Sequence, residues 1–181
     1  TCALPIFFVY YYKRGEFLTV NQPKHPLRFN VGFLFNQPVG YSREIHFEYP
    51  KITLKPDFDL TEFSGEAKVS RTPQGIFMQG DFQAEAPAEC VRCLTDFNQH
   101  LHSTFSELYA FDKRSVTESG LILPEDANID LEPLVREYLL IEMPISPICR
   151  SDCKGLCSIC GENLNEITGE HYHEEEEDSG T

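Results

Sequence analysis

Ile76-Phe-Met-Gln-Gly-Asp-Phe-Gln-Ala-Glu-Ala-Pro-Ala-Glu-Cys-Val-Arg-Cys93 is the stretch on which the fold turns. Ile76, Met78, Phe82, Ala84 and Ala86 fall on one parity, and Gln79, Asp81, Gln83 and Glu85 on the other. Strand side chains alternate between faces, so this run predicts a half-buried antiparallel strand leading straight into Cys90. Before it, Thr72-Pro-Gln-Gly75 carries turn residues, and residues 63–71 supply the other arm of a hairpin. Further upstream Leu27, Phe29, Val31 and Phe33 alternate, as do Ile45, Phe47 and Tyr49, with Asn36-Gln-Pro-Val-Gly40 as the turn between. Downstream, Phe97, Leu101, Phe105 and Tyr109 fit either period. Their aromatic character and the preceding strand favour a strand returning along the sheet over 96–111. Residues 112–126 read as a mobile acidic loop. A helix is expected over 128–143, with Asp130 as N-cap, an apolar stripe of Leu131, Leu134, Val135, Tyr138 and Leu139, and Pro144 and Pro147 as its stop. The expected class is α+β: a mainly antiparallel β-sheet, one covering helix and a small C-terminal lobe.

Chemistry concentrates in that lobe and at the end of the strand. Six of the 7 cysteines form Cys90-x2-Cys93 and Cys149-x3-Cys153-x3-Cys157-x2-Cys160. A Cys-x-x-Cys step turns two thiolates toward one point, which is how tetrahedral zinc is gripped. Gly155 and Gly161 flank the last pair and permit the positive-φ turn that aims backbone N–H groups at sulfur. Lys154-Gly-Leu-Cys-Ser-Ile-Cys-Gly161 therefore reads as a zinc knuckle, with zinc as the expected cofactor. An iron–sulfur cluster accepts the same four thiolates and stays open as an alternative. Disulfides need an oxidising compartment that nothing here signals. A thioredoxin-like pair needs a strand-to-helix junction, whereas Cys90 ends a strand and Cys157 lies in a loop.

The 181-residue length suits one domain with a metal-bound appendage. The net charge of −14 is unusual for a partner of nucleic acid, because counterion release needs a basic face. Glu174-Glu-Glu-Glu-Asp178 supplies part of that charge as a solvated run, and the remainder is still strongly negative. Broad RNA or membrane-surface binding is thereby disfavoured. The apolar run Ala3-Leu-Pro-Ile-Phe-Phe-Val-Tyr-Tyr-Tyr12 is too short to span a bilayer, is broken by Pro5 and lacks signal-peptide flanks. Residues 1–17 are expected to be a leader foreign to the domain, with Cys2 outside the metal chemistry. The domain is expected over 18–166 and a disordered acidic tail over 167–181. Cytoplasmic localisation follows as the expectation.

The order of these parts resembles the bacterial and plastid YceD family, the large ribosomal RNA subunit accumulation proteins. The resemblance runs over residues 27–166. It rests on Cys90-Val-Arg-Cys-Leu94, then Ile129-Asp-Leu-Glu-Pro-Leu-Val-Arg-Glu-Tyr-Leu-Leu140, then Cys153-Lys-Gly-Leu-Cys-x-x-Cys-Gly-x-Asn-Leu-Asn165. It implies a factor for synthesis, processing or stability of 23S rRNA, with a large-subunit rRNA precursor or a ribosomal protein as partner and no small-molecule substrate. Members with this knuckle commonly close it with a further Cys-x-Cys, where this chain has Glu170-His-Tyr-His-Glu174. His171 and His173 keep ligand chemistry at that place; the alternative is two solvated histidines in a polar tail.

Two ligand partitions follow. In one, Cys90, Cys93, Cys149 and Cys153 form a site, and Cys157, Cys160, His171 and His173 form a second. In the other, Cys90 and Cys93 join Cys157 and Cys160, leaving Cys149 and Cys153 auxiliary. The first leaves no ligand over. Arg92, between two cysteines, is expected to offset thiolate charge, and with Arg150 and Lys154 forms the candidate patch for RNA or a partner. No nucleophile elbow, P-loop or dinucleotide fingerprint occurs, so a non-enzymatic role is expected. The competing functions are a zinc-ribbon adaptor for a non-ribosomal protein and a thiol redox protein.

Overall fold

The computed structural model describes residues 25–169 and 171–173; the expected leader over 1–17 lies outside them. Four long strands make an antiparallel meander in the order β2 (Ser42–Leu54), β3 (Phe58–Arg71), β4 (Gly75–Glu89) and β5 (Asp96–Ala110). A short ladder pairs β1 (Arg28–Asn30) with β6 (Asn128–Asp130), and α1 (Glu132–Ile141) packs against β5 and β2. The α+β architecture, the 72–75 turn and the strand over 96–110 follow the sequence reading. Among the described residues no helix is long and apolar enough to cross a membrane.

The alternation of β4 places Ile76, Met78, Phe82, Ala84 and Ala86 in the core. Phe63 and Phe82 are 1% exposed, a burial worth roughly 1.5–3 kcal/mol for each side chain. Aromatic rings run through the core as a stack, Phe63–Phe82–Phe105–Tyr138, at centroid distances of 5.7, 5.9 and 4.7 Å. Gly80 makes room for it: a Cβ there would stand 2.5 Å from Phe105 Cζ. The inward face changes parity partway along the sheet. Phe47 points inward on β2 but so do Ile52 and Leu54, and on β3 the change falls at Glu62, whose φ is 49°. Simple alternation cannot anticipate such a switch.

Three local expectations differ. The strand expected from Leu27 to Phe33 stops at Asn30, because the Asn30 side chain accepts the Gly32 N–H at 2.9 Å and turns the chain into a 3-10 helix, Gly32–Asn36. The helix expected from residue 128 starts at Glu132. Residues 128–130 are instead held in the ladder with β1, and Asp130 serves the helix from just outside it, accepting the Glu132 N–H at 3.0 Å. The acidic loop after β5 is pinned in its middle, where Ala110 and Leu121 to Leu123 exchange backbone hydrogen bonds of 3.1 and 2.9 Å. The helix stripe holds, with Leu131, Val135 and Leu139 buried and Leu134 and Tyr138 against the core.

Candidate metal centre

Cys90 and Cys93 occupy the turn between β4 and β5. Cys90 N–H bonds to Thr95 O at 3.0 Å and Leu94 N–H to Cys90 O at 2.9 Å, closing a tight knuckle at the end of the sheet. After α1, the chain comes back to this turn, with Val91 N–H on Pro147 O at 3.0 Å and Leu156 N–H on Arg92 O at 3.0 Å. Gly155 has φ +80°, and a Cβ there would lie 3.1 Å from Arg92 O, so both the turn and the close approach favour glycine. Cys149 and Cys153 thereby meet Cys90 and Cys93. Cys90 and Cys153 sulfurs lie 3.8 Å apart and those of Cys93 and Cys149 3.7 Å. All four Sγ atoms lie within 4.8 Å of one another.

Those distances discriminate between chemistries. A disulfide would need about 2.05 Å, and these cysteines are free. A tetrahedral ion with metal–sulfur bonds of about 2.3 Å sets a sulfur–sulfur edge of about 3.8 Å. The four-cysteine set has that edge and has room for one ion rather than for several irons with a thiolate each.

The second cluster forms as the first partition requires. Cys157 Sγ is 3.0 Å from His173 Nε2, and Cys160 Sγ is 3.3 Å from His171 Nε2. These are a few tenths below the roughly 3.5 Å sulfur–nitrogen edge of a tetrahedral site. Gly161, at φ +77°, lets the loop close, with Gly161 N–H on Cys157 O at 2.9 Å and Ile159 N–H on Cys157 Sγ at 3.4 Å. Glu162 Oε2 stands 3.7 Å from His171 Nδ1, where a carboxylate orients a ligating imidazole. The two histidines are thus placed against the cysteines and not loose in a polar tail. Cys157 and Cys160 do not approach Cys90 and Cys93 to form the alternative ribbon.

The thiols in each cluster are driven apart in acidity. Burial raises Cys90, but backbone N–H groups of Cys149, Cys93 and Arg92 outweigh it and bring it to about 6. Burial and the sulfur of Cys93 hold Cys149 up at about 12. In the second cluster, N–H groups of Cys160 and Ile159 bring Cys157 to about 6, while Cys160 is raised. Thiolates this close repel, so one ionises while its neighbour keeps its proton. A dication removes that conflict, and the donor sets fit one.

Among the basic residues, Arg92 is exposed and its guanidinium donates to Cys153 O at 3.1 Å. Arg150 donates to Asn165 Oδ1 at 2.8 Å and pairs with Asp152 at 3.4 Å, and both Arg150 and Lys154 are exposed. Asn165 is a residue that the motif reading quoted without assigning. Its Oδ1 also accepts the Lys154 N–H at 2.8 Å and its Nδ2 donates to Cys153 Sγ at 3.4 Å. It ties the segment after the knuckle to the four-cysteine cluster. The only sequence signal was Asn163-Leu-Asn165 just after the knuckle. Two further groupings, His25/Asp130/Glu132 and Glu44/His46/Glu66, offer no such closed set. Glu132 already accepts the Lys55 N–H at 2.8 Å, and the second trio is exposed.

A meander capped by one helix, with two four-residue clusters of Cys and His that could each hold a metal ion, is the class of architecture that the described residues define. The profile of the family described as large ribosomal RNA subunit accumulation protein YceD matches residues 78–180, and the chain belongs to that family. The match opens within β4, so β1 to β3 precede it although they share its core. A Mycobacterium leprae protein described as uncharacterized is 35% identical over 103 residues, 55% of this chain and 48% of that protein. One from Mycobacterium tuberculosis strain H37Rv, described likewise, is 32% identical over 116 residues, 61% of this chain and 55% of its own length. The Arabidopsis thaliana protein named large ribosomal RNA subunit accumulation protein YCED homolog 1, chloroplastic, is 45% identical over 42 residues, 23% of this chain and 13% of that one. The chain spans about half the length of the first two. No solved structure matches.

Proposed function

We propose that this protein is a non-enzymatic bacterial factor for the accumulation of the large-subunit rRNA, acting in the cytoplasm with two structural zinc ions. Family membership carries the reading. The closed donor sets support its non-catalytic part. A catalytic zinc keeps a position for water, whereas four thiolates, or two thiolates with two imidazoles, fill all four positions. Bound zinc supplies only cross-linking. Cys90 and Cys93 tie the β4–β5 turn to the segment after α1, and Cys157 and Cys160 fold the last residues onto the knuckle. The partner is a large-subunit rRNA precursor or a ribosomal protein. The acidity of the chain confines any RNA contact to a small patch, where Arg92, Arg150 and Lys154 are the exposed cations. The test is depletion of the protein in its host, with quantification of 23S against 16S rRNA and gradient sedimentation of the tagged protein. A fall in 23S rRNA, with the protein in large-subunit precursor fractions, is the expected result. An unchanged rRNA ratio with the protein absent from those fractions would overturn the reading.

A further inference from the structure

The two clusters differ in how open they are. In the first, Cys90, Cys93 and Cys153 are 0%, 6% and 4% exposed, with Phe97, Ile148 and Leu156 packed against them, and Cys149 is half-buried. In the second, Cys160 is exposed, and Cys157, His171 and His173 are half-buried. Cys157 and Cys160 share one surface turn with exposed Ser158 and Ile159 between them. Their sulfurs lie within 4.8 Å of each other, so a disulfide of about 2.05 Å calls for local closure of that turn and no movement of a second segment. Cys90 and Cys93 have the same spacing but are sealed from solvent, so access and not spacing separates the pairs. The second cluster is also anchored locally. His173 and His171 reach Cys157 and Cys160 at 3.0 and 3.3 Å, and Glu162 stands 3.7 Å from His171. Residues 155–164 are held separately, by the Leu164 N–H on Gly155 O at 2.9 Å and a bridge between Leu156 and Asn163. In sequence His173 leads directly into Glu174-Glu-Glu-Glu-Asp178, so this ligand set also tethers the most acidic run of the chain.

We propose that Cys157 and Cys160 are an oxidative modification site for hydrogen peroxide, and that their oxidation opens the second metal centre while the first stays closed. Oxidation of a thiolate follows its access to solvent, and a neighbouring thiolate resolves the first product. The exposed Cys160 thiolate attacks one peroxide oxygen: an S–O bond forms, the O–O bond breaks and hydroxide leaves, giving a sulfenic acid. The Cys157 thiolate then attacks that sulfur. The S–S bond forms, the S–O bond breaks and a second hydroxide leaves. Two thiolates have lost two electrons, one peroxide has gained them, and the two hydroxides take up two protons as water. A disulfide is no thiolate ligand, so two imidazoles alone remain for the ion. Residues 171–173 are thereby released, while the 155–164 loop and the four-cysteine site keep their own contacts. Thiol–disulfide exchange reverses the step. The proposal rests on the two-zinc reading and uses no part of the rRNA reading.

The test treats the zinc-loaded full chain with hydrogen peroxide, follows released zinc with a chromogenic chelator, and locates the disulfide by alkylation and peptide mass spectrometry. One zinc per chain is expected to leave about tenfold or more faster than the other, with Cys157 and Cys160 recovered as a disulfide and Cys90, Cys93, Cys149 and Cys153 as alkylated thiols. Dithiothreitol with added zinc is expected to restore the starting content. Cys160→His keeps four ligands but cannot form the disulfide, so the fast phase is expected to vanish. If that variant does not take up its second ion, the disulfide mapped in the parent decides the matter. Release of both ions at one rate, a fast phase with Cys157 and Cys160 recovered as free thiols, or a disulfide formed first between Cys90 and Cys93 would overturn the proposal. A starting content of about one zinc per chain would overturn the two-zinc reading and the proposal together, whereas about two at the start with any of those outcomes fails the proposal alone.

Discussion

The sulfur atoms set the chemistry, and single side chains decide whether each cluster can hold its ion. Cys93→Ser and Cys160→Ser remove one ligand from different centres, so each variant should retain about one zinc per chain where the parent holds about two. Elemental analysis checks this; parent-level zinc in both variants would remove these cysteines from the ligand sets. Asn165 is a subtler case. Its amide reaches Cys153 Sγ, the Lys154 N–H and the Arg150 guanidinium together. Asn165→Leu keeps the branching of the side chain and loses all three contacts. Partners that orient metal ligands commonly contribute 10–100-fold in affinity, and a loss of about that size is expected in a chelator competition assay. Wild-type affinity in Asn165→Leu would show that the backbone alone positions Cys153.

The elements depend on contacts that cross them. β4 and β5 accommodate the aromatic stack only because Gly80 has no Cβ, which at 2.5 Å would overlap Phe105 Cζ. Gly80→Ala is therefore expected to cost about 1–3 kcal/mol through displacement of Phe105, measured by urea denaturation with an unchanged slope. The end of β5 also responds to pH. Burial, with Glu107 and Asp130, raises Tyr109 from the usual 10.0 to about 12 in the folded state. The unfolded chain thus releases this proton first. The stability contributed by the neutral hydroxyl is whole below pH 10 and is lost as pH rises through 12. Melting temperature should fall over that window, and Tyr109→Phe should flatten the fall. An identical alkaline slope in that variant would assign the loss elsewhere.

At the scale of the molecule, two stabilising systems meet at one end of the sheet. The core of Phe63, Phe82, Met78 and Leu101 belongs to the meander and is built without metal, whereas Cys90, Cys93 and Cys153 form a separate buried cluster with Ile148 and Leu156 around it. Structural zinc contributes roughly 10–16 kcal/mol of apparent binding energy, comparable with the roughly 5–15 kcal/mol net stability of a domain. Metal removal should consequently free residues 149–173 while leaving the sheet folded. Hydrogen exchange on the chelated protein should show lost protection after α1 and retained protection in β4 and its neighbours. Loss of protection in β3 and β4 as well would make the metal part of the main fold.

Much of this was legible in the residues themselves. Alternation along 76–90 foretold β4, because a strand with one dry face imposes a period of two. Likewise Cys-x-x-Cys steps announced knuckles, because two thiolates at that spacing turn to one point. The sequence did not mark where β1 stops or where α1 begins. Residues 28–30 and 128–130 are strands only because they pair with each other across the fold, and neither run is long enough to carry a period of its own. The ligand partition also belonged to the tertiary structure. Six cysteines and two histidines permit several tetrahedral sets, and local spacing cannot choose among them. The choice was made by Val91 on Pro147 and Leu156 on Arg92, the long-range hydrogen bonds that bring the segment after the helix to the β4–β5 turn.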